Sequence, residues 1–302
     1  MRPTLRQLEY IVAVQRLGRF GLAADVLNVS QPSLSAQIAA VEDDLGVRLF
    51  DRSRGGVQTT AKGEDFVRRA QIILREVEDL RAAMASDLPF AGRLRLGVLP
   101  SIGPYLLPQA VRDIHAAQPG LRVLVREENT RDLEDGLTSG RFDLIISTPE
   151  DHPNTQQERL FNESLWIAVA IDDPLATQDG PARAVDLDRR RLLTLDQSHR
   201  LSRIVYALAA ECGGEVSDDY EGTSMDSLLL MAATGAGVAV LPELFARRHA
   251  MHRSEVVVRP LEAVNADRDV ALLARRSDRP GDGLSLMAET LRRASRQMGL
   301  SA

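Results

Sequence analysis

The segment from residue 19 to residue 54 most constrains the fold, because it has the pattern of two short helices joined by a tight turn. The first helix carries small apolar residues, among them Ala23 and Ala24, and Asn28 and Val29 follow as a turn. A second helical pattern begins immediately afterwards. This order of elements predicts a helix-turn-helix near the N-terminus.

The second helix of this pair has clear start and stop signals. Ser30 can cap its first turn, and Pro32 lies where a missing N–H group costs nothing. Gly46 ends the helix. Between them, apolar residues recur at spacings of four, three and four, which predicts one buried stripe made of Leu34, Ile38, Val41 and Leu45.

The opposite face of the second helix carries small uncharged groups that can hydrogen-bond to base edges in a major groove. The alternative interpretation is a helical hairpin with a polar, solvated face. Arg48, Arg52 and Arg54 flank the pair Gly55-Gly56, which predicts a basic wing that contacts phosphate or the minor groove. The predicted DNA contacts are Ser30, Gln31, Pro32, Ser33, Ser35, Gln37, Arg52 and Arg54.

At this point the sequence resembles the LysR-type transcriptional regulators. The resemblance rests on Leu5, Phe20, Ala23, Ala24, Leu27, Ser30, Gln31, Pro32, Ser33, Ser35, Ile38, Leu45, Gly46, Leu49, Phe50, Arg52, Thr60 and Gly63. Residues 97–108 and 192–201 resemble the peroxide-sensing (OxyR-like) branch of that family. The resemblance implies an α/β fold class: an N-terminal winged helix-turn-helix and a long linker helix, then two α/β subdomains like a periplasmic solute-binding protein.

Composition and charge agree with a cytoplasmic chain that is not an enzyme of a familiar motif class. The 302 residues suggest two to three domains, and the single cysteine cannot form an internal disulfide. No apolar signal core or membrane-length run is present. Net charge is −6, but residues 1–95 carry +2 and residues 96–302 carry −8. The weak positive charge of the N-terminal part predicts that DNA binding relies on oligomerisation.

A heptad pattern follows the predicted wing. Thr60 can cap a helix in which apolar residues repeat alternately four and three residues apart, namely Phe66, Ala70, Ile73, Val77, Leu80 and Met84. A strict a/d stripe surrounded by charges predicts a helix–helix dimer seam, and the alternative is an amphipathic helix packed on its own domain. The resemblance implies a homodimer through this linker helix, a homotetramer and a pseudo-palindromic double-stranded DNA operator.

The rest of the chain alternates strand and helix patterns, which predicts mostly parallel sheets. Predicted strands include 93–99, 121–127, 144–147, 165–171, 192–195, 238–241 and 270–274. We expect residues 1–60 to form the DNA-binding domain, 61–86 the linker helix, 87–92 a hinge and 93–302 the regulatory domain. The resemblance implies subdomain I at about 93–162 and 268–302, and subdomain II at about 163–267.

The predicted effector site lies between these subdomains. Ser101 follows a strand and precedes a helix, where a hydroxyl and free N–H groups form an anion or polar-ligand site, or a simple N-cap. The resemblance adds other cleft residues, so the predicted set for a small polar or anionic effector is Ser101, Thr130, Thr148, Ser198, His199, Arg200, Thr223 and Ser224. No cofactor, metal or membrane partner is expected.

Arg200 is the main departure from the peroxide-sensing branch, which has its reactive cysteine directly after the histidine. The second cysteine of that branch is also absent, near Ala209, so Cys212 is the only thiol. One sulfur cannot form a disulfide within the chain. Arg200 either holds an anion, since a guanidinium matches carboxylate geometry, or is a solvated surface residue.

Two rival functions remain at this stage. A redox regulator that uses Cys212 between subunits is the first, and a solute-binding or enzymatic α/β protein is the second. The glycine pair Gly235 and Gly237 lacks the spacing of a dinucleotide loop and predicts a tight helix–strand connection. His249 and His252 have no third metal ligand nearby.

Overall fold

Capping residues set the limits of the first helix. In the computed structural model, α1 (Leu5–Leu17) begins after Thr4 and ends at Gly18, whose left-handed φ of 65° suits glycine. The Thr4 hydroxyl accepts a hydrogen bond from the Gln7 N–H at 3.3 Å, and the Gln7 side chain accepts from the Thr4 N–H at 2.9 Å. This reciprocal pair is a capping box.

The predicted helix-turn-helix is confirmed by α2 (Phe20–Val26) and α3 (Gln31–Leu45). Asn28 adopts a positive φ of 53° in the turn between them. The Ser30 hydroxyl accepts the Ser33 N–H at 3.3 Å, and Gly46 ends α3 with a φ of 65°. Both ends of α3 therefore lie where the capping signals put them.

The apolar stripe of α3 holds except at its last position. Leu34, Ile38 and Val41 are buried against α1 and α2, and this burial fixes which face of α3 remains outside. Leu45 is 42% exposed. Its predicted burial is wrong because the helix ends there, beyond the edge of the core.

A short hairpin, β1 (Phe50–Ser53) and β2 (Gly56–Thr59), completes this domain as a wing. Its first strand is tied to α3, because Glu42 accepts hydrogen bonds from the backbone N–H groups of Leu49 at 2.7 Å and Phe50 at 3.1 Å. The Val57 N–H also donates to the Gly18 carbonyl at 3.0 Å. The long helix α4 (Ala61–Ala85) follows.

Strand–helix alternation dominates after residue 92. In chain order the elements up to the middle of this region are β3 (Arg93–Val98), α5 (Gly103–Ala117), β4 (Arg122–Glu127), α6 (Thr130–Thr138), β5 (Leu144–Ser147), β6 (Thr155–Ala170), β7 (Ala182–Arg183) and β8 (Arg191–Leu193). The remaining elements are α7 (Arg200–Cys212), β9 (Glu215–Val216), α8 (Met225–Ala233), β10 (Val238–Pro242), α9 (Glu243–Arg248), β11 (Val256–Glu262), β12 (Asp267–Arg275) and α10 (Asp282–Gln297).

Two separate hydrophobic cores divide this region into halves. The first half has its core among β3, α5, α6, β5, β12 and α10, and the second half among the end of β6, α7, α8, β10, α9 and β11. The strands follow the order β4-β3-β5-β12-β6-β10-β8-β9. The late strand β12 returns to the first half, as the resemblance implied.

The expectation of mostly parallel sheets is wrong around β6, which pairs antiparallel with β12, β10 and β11. This strand is sixteen residues long and is shared by both halves. Its first part, from Thr155 to Ser164, carries mostly polar and charged residues. The sequence pattern therefore predicted only its apolar end, and β11 and α9 were missed altogether.

The structure describes residues 2–53, 56–85, 88–218, 222, 224–276 and 282–300. The chain divides into two compact units, residues 1–87 with 139–141, and residues 88–138 with 142–302. Within the described residues, no helix is both long and apolar enough to cross a bilayer. The two halves with separate cores both belong to the second unit.

Candidate functional site

The outer face of α3 presents the predicted polar groups to solvent. Gln31, Pro32, Ser33 and Gln37 are exposed, and Ser35 is half-buried. The burial of the opposite stripe holds this face outward. The helix therefore presents hydroxyl and amide groups of the kind that hydrogen-bond to base edges.

Two of the predicted DNA contacts also have structural roles. Ser30 caps α3 with its hydroxyl oxygen. Gln37 accepts a hydrogen bond from the Gln7 side-chain amide at 3.0 Å, and Gln7 belongs to the capping box of α1. This bond orients the Gln37 amide, so that its own N–H donors can point away from α1.

The wing hairpin is closed in register, with Ser53 opposite Gly56. Arg52 lies in β1 opposite Val57, and only its backbone is described. Arg54 lies outside the described residues. The proposed contacts of both arginines with DNA stay predictions.

A cavity of about 240 Å³ lies between the two halves of the second unit. Four of the predicted effector residues line it, namely Ser101, His199, Arg200 and Ser224. The first turns of α5, α7 and α8 all contribute to its wall. The volume lies just below the range of about 300–1,000 Å³ of pockets for drug-sized ligands, so the cavity suits a smaller molecule.

The other predicted effector residues have different surroundings. Thr130 and Thr148 are buried, and their hydroxyl oxygens have no hydrogen-bond partner among the described residues. The Ser198 backbone N–H donates to Asp196 at 2.8 Å. These three are not part of the cavity wall as described, and Thr223 lies outside the described residues.

Ser101 belongs to a buried polar chain. Arg268 donates to the Ser101 hydroxyl at 2.8 Å and to Glu163 at 2.7 Å. The second carboxylate oxygen of Glu163 accepts the backbone N–H of Leu244 at 3.1 Å. Because Arg268 and Glu163 neutralise each other, the Ser101 hydroxyl is held in place on the cavity wall without a net charge beside it.

His199 is mostly buried at the start of α7. Burial lowers the pKa of His199, and Asp196 at 3.7 Å opposes that effect. The imidazole is therefore neutral near pH 7 and can both donate and accept a hydrogen bond. This state suits recognition of a polar group in the cavity.

Sequence reasoning missed the other polar and aromatic residues of the cavity wall, namely Tyr105, Glu127, Asp226, Phe245 and Arg268. Burial raises the pKa of Tyr105, with Asp226 and Glu127 adding to the effect, and burial also raises the pKa of Glu127. Glu127 ends β4, so the strand-end rule that selected Ser101 could have found it. The packing of Phe245 edge-on to Tyr105 had no sequence signal.

Arg200 is half-buried and paired with a carboxylate. Its guanidinium donates to Asp151 at 3.1 Å, and Arg203 donates to the same carboxylate at 2.8 Å. Cys212, at the end of α7, is half-buried with its sulfur 3.9 Å from the Ala209 carbonyl. Among the described residues, no three potential metal ligands come together.

Comparison with known proteins gives one consistent result for both units. Residues 5–64 match the family described as "Bacterial regulatory helix-turn-helix protein, lysR family", and residues 89–296 match "LysR substrate binding domain". The chain is 34% identical over 295 residues to the "DNA-binding transcriptional dual regulator OxyR" of Escherichia coli K12, covering 97% of this chain and 94% of that protein.

Solved structures agree with the sequence matches. A full-length cysteine-to-aspartate variant of OxyR from Pseudomonas aeruginosa superposes with a TM-score of 0.72 at 30% identity, covering 96% of this chain and 98% of that one. A cysteine-to-serine mutant of Corynebacterium glutamicum OxyR with hydrogen peroxide bound gives a TM-score of 0.64 at 27% identity, with coverages of 98% and 96%.

Proposed function

Because this chain belongs to the LysR family of DNA-binding transcriptional regulators, we propose that α3 and the wing read its operator and that the cavity of the second unit binds a small effector. Effector binding then alters how the oligomer holds DNA. The cavity lined by four of the predicted residues is the observation that carries the effector half of this proposal.

The DNA half of the proposal rests on the exposed face of α3. The base-reading residues are Gln31, Ser33 and Gln37, with Pro32 and Ser35 beside them and Ser30 at the helix start. Arg52 and Arg54 of the wing hold phosphate or the minor groove. All of these contacts lie within residues 1–60, which act as the DNA-binding domain.

The oligomer forms through the linker helix, residues 61–86. Apolar residues along α4 are exposed in the single chain, with Ile73 at 46%, Leu80 at 61% and Met84 at 79%. A partner helix would cover this stripe. We propose that the chain forms a homodimer through this seam and a homotetramer overall. The oligomer binds a pseudo-palindromic operator, and it does so in the cytoplasm, where chromosomal DNA lies.

We propose that the effector contacts Ser101, His199, Arg200 and Ser224 on the cavity wall, and that Thr130, Thr148, Ser198 and Thr223 are further contacts. The buried hydroxyls of Thr130 and Thr148 have no partner in the part of the chain that the structure describes, which supports a polar ligand or bound water in their vicinity. The regulatory domain spans residues 93–302 after a hinge at 87–92. Its subdomains are about 93–162 with 268–302, and about 163–267.

A thermal-shift screen of the full chain against small acids, amino acids, amines, sugars and hydrogen peroxide tests the effector site. We expect a concentration-dependent rise of Tm that Ser101→Ala removes. The matched control is Thr290→Ala, a buried hydroxyl that bonds to the Leu286 carbonyl at 3.0 Å within α10. A stabilising compound that is equally effective on both variants would contradict the placement of the site.

Peroxide belongs in the screen because similar proteins are described as hydrogen peroxide-inducible activators. A response through Cys212 between subunits is the alternative function. In that case Cys212→Ser abolishes the response to peroxide and leaves the Ser101-dependent shift unchanged.

A further inference from the structure

An ionic cluster joins the two halves of the second unit beside the cavity. It consists of Asp151, in the turn after β5, and of Arg200 and Arg203 on α7, and we call it the Asp151 cluster. The Asp151 side chain is 3% exposed. A carboxylate so deeply buried needs a cationic partner, because an unpaired buried charge is strongly destabilising.

The cluster contains two arginines for one carboxylate, so one cation is in excess of what neutralises Asp151. Both guanidiniums donate to the same oxygen of Asp151, Oδ1, at 3.1 Å from Arg200 and 2.8 Å from Arg203. Oδ2 of Asp151 and Nε of Arg200 are buried without a hydrogen-bond partner among the described residues. Arg200 therefore uses only part of its hydrogen-bonding capacity on Asp151.

Arg200 differs from Arg203 in its position. Arg200 is 27% exposed and lines the cavity, whereas Arg203 is 57% exposed and is not among the cavity residues. If Arg200 turned towards a ligand, Arg203 would still hold Asp151. The buried carboxylate would then keep a partner throughout the exchange.

The other charged groups of the cavity wall have their own compensation. Arg268 is paired with buried Glu163 at 2.5 Å, and Asp226 is paired with Arg253 at 3.4 Å. The Glu127 side chain lies beside Gly103, the first residue of α5, and burial raises the pKa of its carboxyl, which favours the uncharged form. Arg200 differs from these groups because its carboxylate partner, Asp151, is also paired with a second arginine, Arg203.

We propose that Arg200 is an exchangeable anchor for an anionic group, such as a carboxylate, on the effector. The anion replaces Asp151 as the partner of Arg200, while Arg203 stays paired with Asp151. One of the two ion pairs between α7 and the first half is therefore lost when the effector binds. The first turns of α5, α7 and α8 also face the cavity and favour a negative charge there. This inference rests on the effector cleft proposed above and specifies its chemistry.

Unfolding of the full chain without ligand tests whether Arg200 is spare. We expect Arg200→Gln combined with Arg203→Gln to lower Tm by roughly 5 °C, because it leaves the buried Asp151 carboxylate without a cationic partner. Arg200→Gln alone should lower Tm much less, because Arg203 stays paired with Asp151. Arg247→Gln, which breaks only the pair with Glu243 at 2.9 Å on α9, is the control. A loss from Arg200→Gln alone that equals the loss of the double variant overturns the proposal.

Titration with probe anions tests the exchange itself. The probes are succinate, benzoate and inorganic phosphate, and the matched neutral compounds are succinamide and benzamide. We expect a carboxylate or phosphate to bind, Arg200→Gln to weaken it about tenfold, and Asp151→Asn to tighten it because the competing carboxylate is gone. If Asp151 had only a structural role, Asp151→Asn would not increase the affinity for the probe anions.

The two proposals fail in different ways. Binding that requires Ser101 but is unchanged by Arg200→Gln, or amides that bind as well as acids, overturns the anionic anchor and leaves the effector cleft standing. Probe binding that Ser101→Ala leaves intact contradicts the cleft itself. The absence of binding by every probe anion also counts against the anchor.

Discussion

Buried polar side chains gather where the two halves of the second unit meet, and His152 is one of them, with 1% of its surface exposed. One of its ring nitrogens lies 3.0 Å from the Ser147 hydroxyl, and the other, Nδ1, is buried without a hydrogen-bond partner among the described residues. Burial lowers the pKa of His152 from its ordinary value of 6.5, against opposing effects of Glu134 and Asp151. The imidazole is therefore neutral in the folded protein near pH 7.

This lowered pKa predicts a pH dependence of stability. The unfolded chain binds a proton at His152 near pH 6.5, whereas the folded chain binds it only at lower pH, so the free energy of unfolding falls as the pH drops below about 6.5. Denaturant unfolding between pH 7.5 and pH 5 should show a shallower loss for His152→Gln than for the wild type. His115→Gln, an exposed position on α5, should keep the wild-type slope. Equal slopes for all three proteins would contradict the neutral, buried histidine.

Residues of the cavity wall were predictable only in part. Ser101 lies at a strand–helix junction, and His199 and Ser224 follow from the resemblance, so sequence alone could select them. Tyr105 and Phe245 come together through packing of α5 against α9, elements far apart in the chain. No local pattern reports such a pairing.

At the scale of secondary structure, α4 makes the clearest prediction. Its first turns pack on the N-terminal core through Val67 and Ala70, but its later apolar residues are exposed. We expect Leu80→Lys to weaken dimerisation by at least roughly 2 kcal/mol, about thirtyfold in Kd, because each subunit loses one buried leucine. Sedimentation of the full chain over a range of concentrations measures this.

The control for this change is Glu78→Lys, which places the same lysine two residues earlier, at an exposed position off the stripe. It should leave the dimer intact. If the two variants dissociate equally, or if neither does, the dimer seam lies elsewhere. Circular dichroism would verify that both variants keep their helices.

Helix ends were easier to predict than strands. The helix α3 begins after Ser30, which caps it with a local hydrogen bond, and ends at Gly46, which adopts a left-handed φ. Both signals depend on residue type alone. The strand β6 was only half recognised, because its stability comes from pairing with β12 and β10 and not from its own alternation. Pairing between strands that are distant in the chain depends on the whole fold, so a short stretch of sequence indicates it only weakly.

At the scale of the whole molecule, the chain has the architecture of the LysR family, and we propose that the polar face of α3 supplies the sequence specificity. A dimer with one such helix in each subunit should read two half-sites related by symmetry. The cavity that we propose as the effector site lies in a different compact unit from α3. Regulation therefore requires that the oligomer transmit a change between units.

The most direct test is selection of DNA sites from random duplexes by the full chain. The account predicts a pseudo-palindromic motif whose half-sites lie one or more helical turns apart, about 10 base pairs each. Ser33→Ala and Arg52→Ala should bind the selected site about tenfold more weakly, through lost base and phosphate contacts respectively. Failure to enrich any two-part motif, or unchanged affinity of both variants, would contradict the claim that α3 and the wing read the operator.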